Sequence, residues 1–222
     1  MLRLNPDFLR LYLVTDQSSL RGRCLLDVVH AAVQGGVSCV QLREKNLGTR
    51  DFLAQALLLK KLLAPYGVPL VINDRIDIAL ACHAEGVHLG QSDLPVLEAR
   101  SLLPSEVFIG WSVESISQVL QSARLPVDYL GVSPVFSTPT KTDTQTAWGI
   151  EGLAAVRAAT CIPLVGIGGI HADNALDTLR AGADGLAVVS AVCSASDPRA
   201  AAAYLRSLCD EELKTRKKSH DQ

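Results

Sequence analysis

Val40-Gln41-Leu42-Arg43-Glu44-Lys45 joins an apolar run to long polar side chains at every second position. In a β-strand, this spacing places Gln41, Arg43 and Lys45 on one face, about 6 to 7 Å apart, and turns the residues between them to the other face. Two cations and an amide make a good clamp for an anion but a poor packed core. The stretch therefore predicts either a strand that ends in an anion site or an edge strand with a solvated face.

Short apolar runs alternate with amphipathic stretches along the chain, which predicts repeated strand–helix units. The predicted strands are 11–16, 39–45, 69–73, 86–90, 108–112, 129–135, 163–168 and 185–190. The predicted helices are 25–34, 50–64, 75–82, 96–102, 116–123, 150–159, 172–180 and 199–213. Eight such units in 222 residues favour a single α/β domain, a (β/α)8 TIM barrel over residues 1–213, rather than a doubly wound open sheet. The polar residues 214–222 are expected to form a frayed tail.

Composition narrows the class of protein. The chain is 48% hydrophobic and 20% charged with a net charge of −2, so it can bury a core and does not have the basic surface of a nucleic-acid binder. It lacks an apolar run of membrane-spanning length, and its N-terminus lacks a signal peptide, which predicts a cytoplasmic protein. The six cysteines are scattered without metal-site spacing and are expected to be small core residues in a reducing compartment.

Two aspartates follow neighbouring predicted strands, at the end of the barrel where active sites lie. Asp74 and Asp93 in such positions are able to hold one Mg²⁺, with substrate phosphate oxygens and water as its other ligands. Each residue is also suited to cap the helix that follows it. Capping explains each aspartate singly, but it does not explain why two carboxylates flank a cationic clamp.

The last two predicted strands end in residues suited to a phosphate. Gly168 and Gly169 follow strand seven, and Val189 and Ser190 follow strand eight, which is the usual phosphate site of a TIM barrel. An ordinary glycine turn is the alternative. The residues alone thus predict a barrel enzyme with a cationic, Mg²⁺-assisted site for a pyrophosphate and a backbone site for a phosphomonoester.

Two further features are ambiguous in the sequence. Residues 137–148 form a long threonine-rich loop with one lysine, which suits either a lid over the site or a mobile surface loop. His88 is interpreted as a histidine that supports other side chains rather than as a catalytic base. No Ser-His-Asp or Cys-His pattern stands out.

Several of these segments, in this order, resemble the thiamine-phosphate synthase (thiamine-phosphate pyrophosphorylase) family. The matching segments are Tyr12-Leu13-Val14-Thr15-Asp16, Gln41-Leu42-Arg43-Glu44-Lys45, Ile72-Asn73-Asp74-Arg75, Gly86-Val87-His88-Leu89-Gly90-Gln91, Gly131-Val132-Ser133-Pro134-Val135-Phe136, Thr138-Pro139-Thr140-Lys141 and Gly166-Ile167-Gly168-Gly169-Ile170. The resemblance implies a transferase of thiamine biosynthesis that joins a hydroxymethylpyrimidine diphosphate to a thiazole phosphate, or its carboxylated form, and releases pyrophosphate. It implies small-molecule substrates, a Mg²⁺ cofactor and neither nucleic-acid nor membrane partners. It is compatible with a homo-oligomer but does not decide the oligomeric state.

The resemblance also implies roles for individual residues. Those implied to hold the pyrimidine diphosphate are Gln41, Arg43, Lys45, Asn73 and Ser112, with Lys141 on its pyrophosphate. Those implied to hold the thiazole phosphate are Thr138, Thr140, Gly169, Val189 and Ser190. Asp74 and Asp93 are the implied magnesium ligands, and Leu42, Glu44 and Pro139 complete the predicted substrate-binding segments. The residues expected to act in catalysis are Arg43, Lys45, Lys141 and Ser112.

Three other functions compete with this interpretation. A thiazole tautomerase on the same barrel has a histidine where this chain has Ser133 and lacks the Thr-x-Thr-Lys segment. An aldolase-type lyase would use Lys45 for a Schiff base, and a non-catalytic thiazole-phosphate binding protein would not need the full set of charged residues. One departure from the family pattern is Trp111, which is expected either to narrow the pyrimidine pocket or to pack outward.

Overall fold

Eight parallel strands form a closed barrel in the computed structural model, which describes residues 4–138 and 147–220, with side chains up to residue 216. The strands pair in sequence order, and β1 closes the barrel against β8. Their bounds are β1 Leu11–Val14, β2 Cys39–Leu42, β3 Leu70–Asn73, β4 Gly86–Leu89, β5 Phe108–Val113, β6 Tyr129–Val132, β7 Leu164–Ile167 and β8 Gly185–Val188. The predicted TIM barrel is confirmed, and the open sheet is wrong.

Helices surround the barrel. Their bounds are α1 Leu25–Gln34, α2 Thr49–Leu63, α3 Ile76–Ala81, α4 Val96–Leu102, α5 Ile116–Ser122, α6 Gly149–Ala159, α7 Ala172–Arg180, α8 Ser190–Cys193 and α9 Pro198–His220. All eight predicted helices are present, and their ends agree with the prediction to within one residue except at the C-terminal end of α9. The sequence did not predict the short α8, which follows β8 directly.

The side chains of each strand divide between two apolar layers, as the alternation of a strand requires. Leu11 and Leu13 of β1 lie in the layer between barrel and helices, whereas Tyr12 and Val14 lie in the barrel interior. All four are buried. A 3-10 turn, Pro6–Leu9, adds the buried Leu9 to the interior cluster at the end of the barrel where the strands begin. The opposite end, where the strands finish, is therefore the end available for a binding site.

The C-terminal helix is longer than predicted. The sequence predicts a helix that ends at Leu213 and a frayed tail over residues 214–222. In the structure, α9 continues to His220. Arg216 explains the extra length, because its guanidinium donates to the carbonyl oxygens of Leu179 and Ala183 and pairs with Glu212 at 3.4 Å. These contacts hold the added turns against α7 and the segment that follows it; residues 221 and 222 lie outside the described part of the chain.

The cysteines divide by position. Cys39, Cys82, Cys193 and Cys209 are buried, as predicted for small core residues, but Cys24 and Cys161 are exposed, so the expectation was wrong for those two. Across the described ranges, none of the helices has both the length and the apolar composition needed to cross a membrane.

Candidate active site

A cavity of about 280 Å³ opens at the carboxyl ends of the strands, close to the lower limit for small-molecule sites. Of the predicted site residues, those that line it are Gln41, Arg43, Lys45, Asn73, Asp74, Asp93, Ser112, Thr138, Gly169, Val189 and Ser190. The structure thus brings together residues from seven regions of the sequence. It also adds residues that the sequence analysis did not single out as site residues, among them Tyr12, Thr15, Asp16, Glu114 and Tyr129.

The predicted anion clamp forms, but only its first member is in the strand. Gln41 belongs to β2 and is buried, and its Nε2 donates to the Tyr12 hydroxyl at 2.9 Å. Arg43 and Lys45 follow the strand, which ends at Leu42 rather than at Lys45 as predicted. All three side chains nevertheless reach the same cavity, so the alternative of a solvated edge strand is wrong.

Two residues at the end of β1 hold Arg43. The Arg43 backbone N–H donates to the Thr15 hydroxyl at 3.0 Å, and the guanidinium contacts Asp16 Oδ1 at 3.3 Å. The second oxygen of Asp16 accepts hydrogen bonds from Ser18 and Ser19. Burial raises the pKa of Asp16, but these hydrogen bonds and the Arg43 charge outweigh it and hold that pKa below its usual value. Asp16 is therefore an anion that orients a cation of the clamp.

Asp74 and Asp93 lie side by side at the ends of β3 and β4. They share a side-chain hydrogen bond, and Lys45 Nζ lies 2.6 Å from Asp74 Oδ2. Burial raises the pKa of Asp93, and the neighbouring Asp74 raises it further. Burial acts in the same direction on Asp74, but the hydrogen bond from Asp93 and the Lys45 ammonium lower its pKa below the usual value. The two carboxyl groups therefore differ in acidity, with Asp74 the stronger acid of the pair.

Helix capping does not account for either aspartate. Arg75 occupies the cap position of α3 and Pro95 that of α4, and neither helix has a side-chain cap hydrogen bond. Asp93 instead accepts the Gly90 backbone N–H at 2.6 Å. Asp74 has a left-handed backbone, with φ of 63°, a conformation that aspartate tolerates better than most residues. That backbone contributes to the placement of its carboxylate in the cavity beside Lys45.

The carboxylate pair suits a hard divalent cation, since its two adjacent groups supply negatively charged oxygen ligands whose mutual repulsion a cation would offset. Within residues 4–138 and 147–220, no cluster of three or more His, Cys, Asp or Glu provides a complete protein cage. Two carboxylates that leave most coordination positions to phosphate oxygens and water are the arrangement typical of Mg²⁺. The residues present therefore fit Mg²⁺ better than a metal that requires a closed set of nitrogen or sulfur ligands.

His88 has the supporting position that the sequence analysis favoured. Its Nδ1 lies 2.9 Å from the Tyr129 hydroxyl, and its Nε2 lies 2.8 Å from Ser112 Oγ. Gln91 Nε2 donates to the Ser112 carbonyl oxygen at 2.5 Å, so the hydroxyl and the carbonyl oxygen of that serine each have a partner. Asn73 ends β3 and is 8% exposed, at the floor of the cavity.

The phosphate segment after β7 depends on glycine. Gly168 and Gly169 have φ of 101° and 63°, backbone angles that residues with a Cβ rarely adopt. A Cβ on Gly169 would lie 2.8 Å from Phe136 Cβ and 2.9 Å from the Ser137 carbonyl oxygen. Asn174 of α7 donates to the Gly169 carbonyl oxygen at 2.9 Å and fixes the turn. Val189 and Ser190 begin α8 on the adjacent wall of the cavity.

Some predicted residues are not brought to the cavity. Leu42 is fully buried in the layer between barrel and helices, and Glu44 does not line the cavity. Trp111 also packs outward into that layer, with 6% exposure, so it does not narrow the site. Pro139, Thr140 and Lys141, with most of the predicted lid, lie outside the described residues.

Comparison with known proteins identifies the family. A family model described as "Thiamine monophosphate synthase" matches residues 11–192. The chain belongs to this family. It is 72% identical over 202 residues to the thiamine-phosphate synthase of Albidiferax ferrireducens, covering 91% of this chain and 92% of that protein. It is 53% identical over 205 residues to that of Syntrophomonas wolfei, covering 92% and 98%.

A solved structure agrees with the family assignment. The thiamine phosphate pyrophosphorylase of Pyrococcus furiosus superposes with a TM-score of 0.86 and 38% sequence identity, over 94% of this chain and 98% of that one. A 3-hexulose-6-phosphate synthase from Salmonella typhimurium, 19% identical with a TM-score of 0.68, shares only the fold. The predicted family is therefore confirmed, and these relatives share sequence with this chain as well as the barrel fold.

Proposed function

We propose that the chain is a transferase that makes thiamine phosphate, from a hydroxymethylpyrimidine diphosphate and a thiazole phosphate. Relatives that match this chain over more than nine-tenths of their own length carry the name thiamine-phosphate synthase. The observation that carries the proposal is a single cavity lined by Arg43 and Lys45 with two carboxylates, and also by the glycine turn at Gly169. Two different phosphate-binding chemistries beside one cavity suit a reaction that joins two phosphorylated substrates.

The diphosphate would bind at the cationic part of the cavity. Arg43 is preoriented by Thr15 and Asp16, and Lys45 lies beside Asp74. Asp74 and Asp93 would hold Mg²⁺, which when bound neutralises negative charge on the pyrophosphate group. Lys45 would then contact diphosphate oxygens, because its present partner Asp74 would be shared with the cation. Lys141, on sequence grounds, would add a further positive charge.

The thiazole phosphate would bind at the backbone of Gly169 and at Val189 and Ser190. A turn without side chains allows phosphate oxygens to approach backbone N–H groups closely. Thr138 lines the same cavity, and Thr140 belongs to the same segment. The thiazole phosphate would bind without a metal ion, so the two phosphate sites are expected to differ in their dependence on Mg²⁺.

The reaction proposed for the cavity is dissociative. The bond between the pyrimidine methylene carbon and the diphosphate oxygen breaks, and its electron pair leaves with pyrophosphate. The pyrimidine amino group stabilises the methylene cation, and the lone pair of the thiazole nitrogen forms the new carbon–nitrogen bond. Arg43 and Lys45 stabilise the charge that grows on the leaving group. No protein base has to remove a proton from the nucleophile, which agrees with the position of His88 between two hydroxyl groups.

A product assay tests this function. Pyrophosphate release and thiamine phosphate, measured by fluorescence after oxidation, should both require the two substrates and Mg²⁺, and EDTA should abolish both. A protein that binds thiazole phosphate but forms no thiamine phosphate under these conditions would contradict the proposal. Conversion of the thiazole substrate to its tautomer in that case would identify the isomerase instead, and borohydride trapping of substrate on Lys45 would identify the lyase.

A further inference from the structure

Hydrogen bonds connect polar side chains from five strands across the barrel interior. The connected residues, in order, are Gln41 of β2, Tyr12 of β1, Tyr129 of β6, His88 of β4 and Ser112 of β5. The successive donor–acceptor distances are 2.9, 2.9, 2.9 and 2.8 Å. Tyr12 and Tyr129 are each 1% exposed, so water does not replace their partners. Every one of the five residues lines the cavity.

The first link sets the direction of the chain of hydrogen bonds. Gln41 Nε2 is an amide nitrogen and is only able to donate, so the Tyr12 hydroxyl oxygen accepts there. The Cys39 thiol also lies within hydrogen-bonding reach of Tyr12, and burial raises its pKa, so it remains a protonated thiol. An oxygen that accepts from Gln41 has its own proton left to donate, and the Tyr129 hydroxyl oxygen, 2.9 Å away, is a stronger acceptor than the Cys39 sulfur.

The Tyr129 hydroxyl in turn donates its hydrogen bond to His88. Burial raises the pKa of both phenols well above the usual value, so each keeps its one proton. Since Tyr129 accepts from Tyr12, its proton goes to His88 Nδ1. A neutral imidazole that accepts at Nδ1 carries its proton on Nε2 and donates it to the Ser112 hydroxyl oxygen. Ser112 therefore retains its own proton for a ligand in the cavity.

We propose that Tyr12 and Tyr129 are positioning residues that fix this direction, so that Ser112 presents a hydrogen-bond donor to the substrate. The matching ligand is a nitrogen heterocycle with an unprotonated ring nitrogen, such as an aminopyrimidine. The inference rests on the proposed function for its substrate, although the direction itself is a property of the free protein. The two tyrosines would set the orientation of the ring without forming or breaking a bond.

Tyr129→Phe tests the inference, because it removes the central hydroxyl and keeps the ring that contacts Phe108. The kcat/KM for the pyrimidine diphosphate should fall about tenfold, the KM for the thiazole phosphate should not change, and unfolding should remain cooperative. Tyr66→Phe is the matched control. Its hydroxyl also bonds a histidine, His30 Nε2 at 2.8 Å, but on the surface, so its kinetics should equal those of the wild type.

Imidazole ¹⁵N NMR of the free protein at alkaline pH provides a readout that a purely structural role would not move. The His88 signals, assigned by their loss in His88→Asn, should report Nε2–H in the wild type and a mixture of tautomers in Tyr129→Phe. An Nδ1–H tautomer in the wild type would mean that the chain runs in reverse and would overturn the inference. Kinetics of Tyr129→Phe equal to those of Tyr66→Phe would overturn it as well. If the wild type made no thiamine phosphate, the proposed function would fail while the NMR result still decided the direction.

Discussion

Replacing Gly169 by alanine should destabilise the fold and weaken the proposed thiazole-phosphate site. The variant Gly67→Ala is the control that separates the cost of a left-handed alanine backbone from the cost of steric overlap at Gly169. The two glycines have almost the same backbone, with φ of 63° and 62°. A Cβ on Gly67 meets no described heavy atom within 4 Å, whereas a Cβ on Gly169 lies 2.8 Å from Phe136 Cβ and 2.9 Å from the Ser137 carbonyl oxygen. Gly67→Ala therefore isolates the backbone term.

The expected magnitudes follow from these contacts. A left-handed alanine costs about 1 kcal/mol at either position. At Gly169, the overlap with Phe136 and the segment after it adds about 1 to 3 kcal/mol. Displacement of the turn should also raise the KM for the thiazole phosphate about tenfold or more, because binding by backbone N–H groups requires close alignment. The KM for the pyrimidine diphosphate should change little in either variant.

Urea unfolding and steady-state kinetics measure both effects. Gly67→Ala should lower the free energy of unfolding by about 1 kcal/mol and leave both KM values unchanged. Equal destabilisation of the two variants would show that the contacts at Gly169 relax freely. A destabilised Gly169→Ala with an unchanged KM for the thiazole phosphate would show that the turn does not bind that substrate.

Three further variants test other parts of the account. Asp93→Ala should lose Mg²⁺-dependent turnover and keep cooperative unfolding, measured by the product assay and by circular dichroism. Asp210→Asn should lower the free energy of unfolding by about 1 kcal/mol at pH 7 and by less at pH 3, since burial raises the pKa of Asp210 but Arg206 and Arg10 outweigh it and hold that pKa below its usual value. Trp111→Phe should lower stability by about 1 to 2 kcal/mol without changing either KM, because the side chain packs outward.

Each of these has a result that would contradict it. Unchanged activity of Asp93→Ala would exclude the metal role. For Asp210, a depressed pKa in the folded state means that the stabilisation is present above the unfolded value of about 3.9 and is lost as the pH falls below it. A difference between wild type and Asp210→Asn that stays the same from pH 7 to pH 3 would therefore contradict the ion pair with Arg10 and Arg206. A raised KM in Trp111→Phe would show that the residue shapes the pocket.

The barrel was predictable because each strand has nearly continuous apolar residues and each helix has a clear amphipathic pattern. Strand ends were less predictable, and β2 shows why. The ladder stops after Leu42, since the Arg43 N–H donates to the Thr15 hydroxyl rather than to a backbone carbonyl. The predicted strand through Lys45 continued the alternation of side chains, which does not reveal which group accepts each N–H.

The polar residues at strand ends were also predictable, because a barrel gathers them at one end. The structure brings most of them into one cavity, and their individual roles stay predictions. The role of Asp16 in holding Arg43 was not predicted, because a cap residue before the turn Gln17–Leu20 has the same sequence signature. Tyr12 and Tyr129 were also missed as functional residues, since a tyrosine inside an apolar strand reads as core. Both tyrosines face the barrel interior, and Tyr12 lies two residues before Val14, which faces it as well, so the alternation along the strand is the signal that was present.

The proposed function places two phosphate sites in one cavity and makes only one of them dependent on a divalent cation. Calorimetric titration of each substrate separately, with Mg²⁺ and then with EDTA, tests it most directly. The pyrimidine diphosphate is expected to bind tightly only with Mg²⁺, and the thiazole phosphate is expected to bind equally well in both conditions. Loss of thiazole-phosphate binding in EDTA, or pyrimidine-diphosphate binding that ignores Mg²⁺, would contradict the assignment of the carboxylate pair and of the glycine turn.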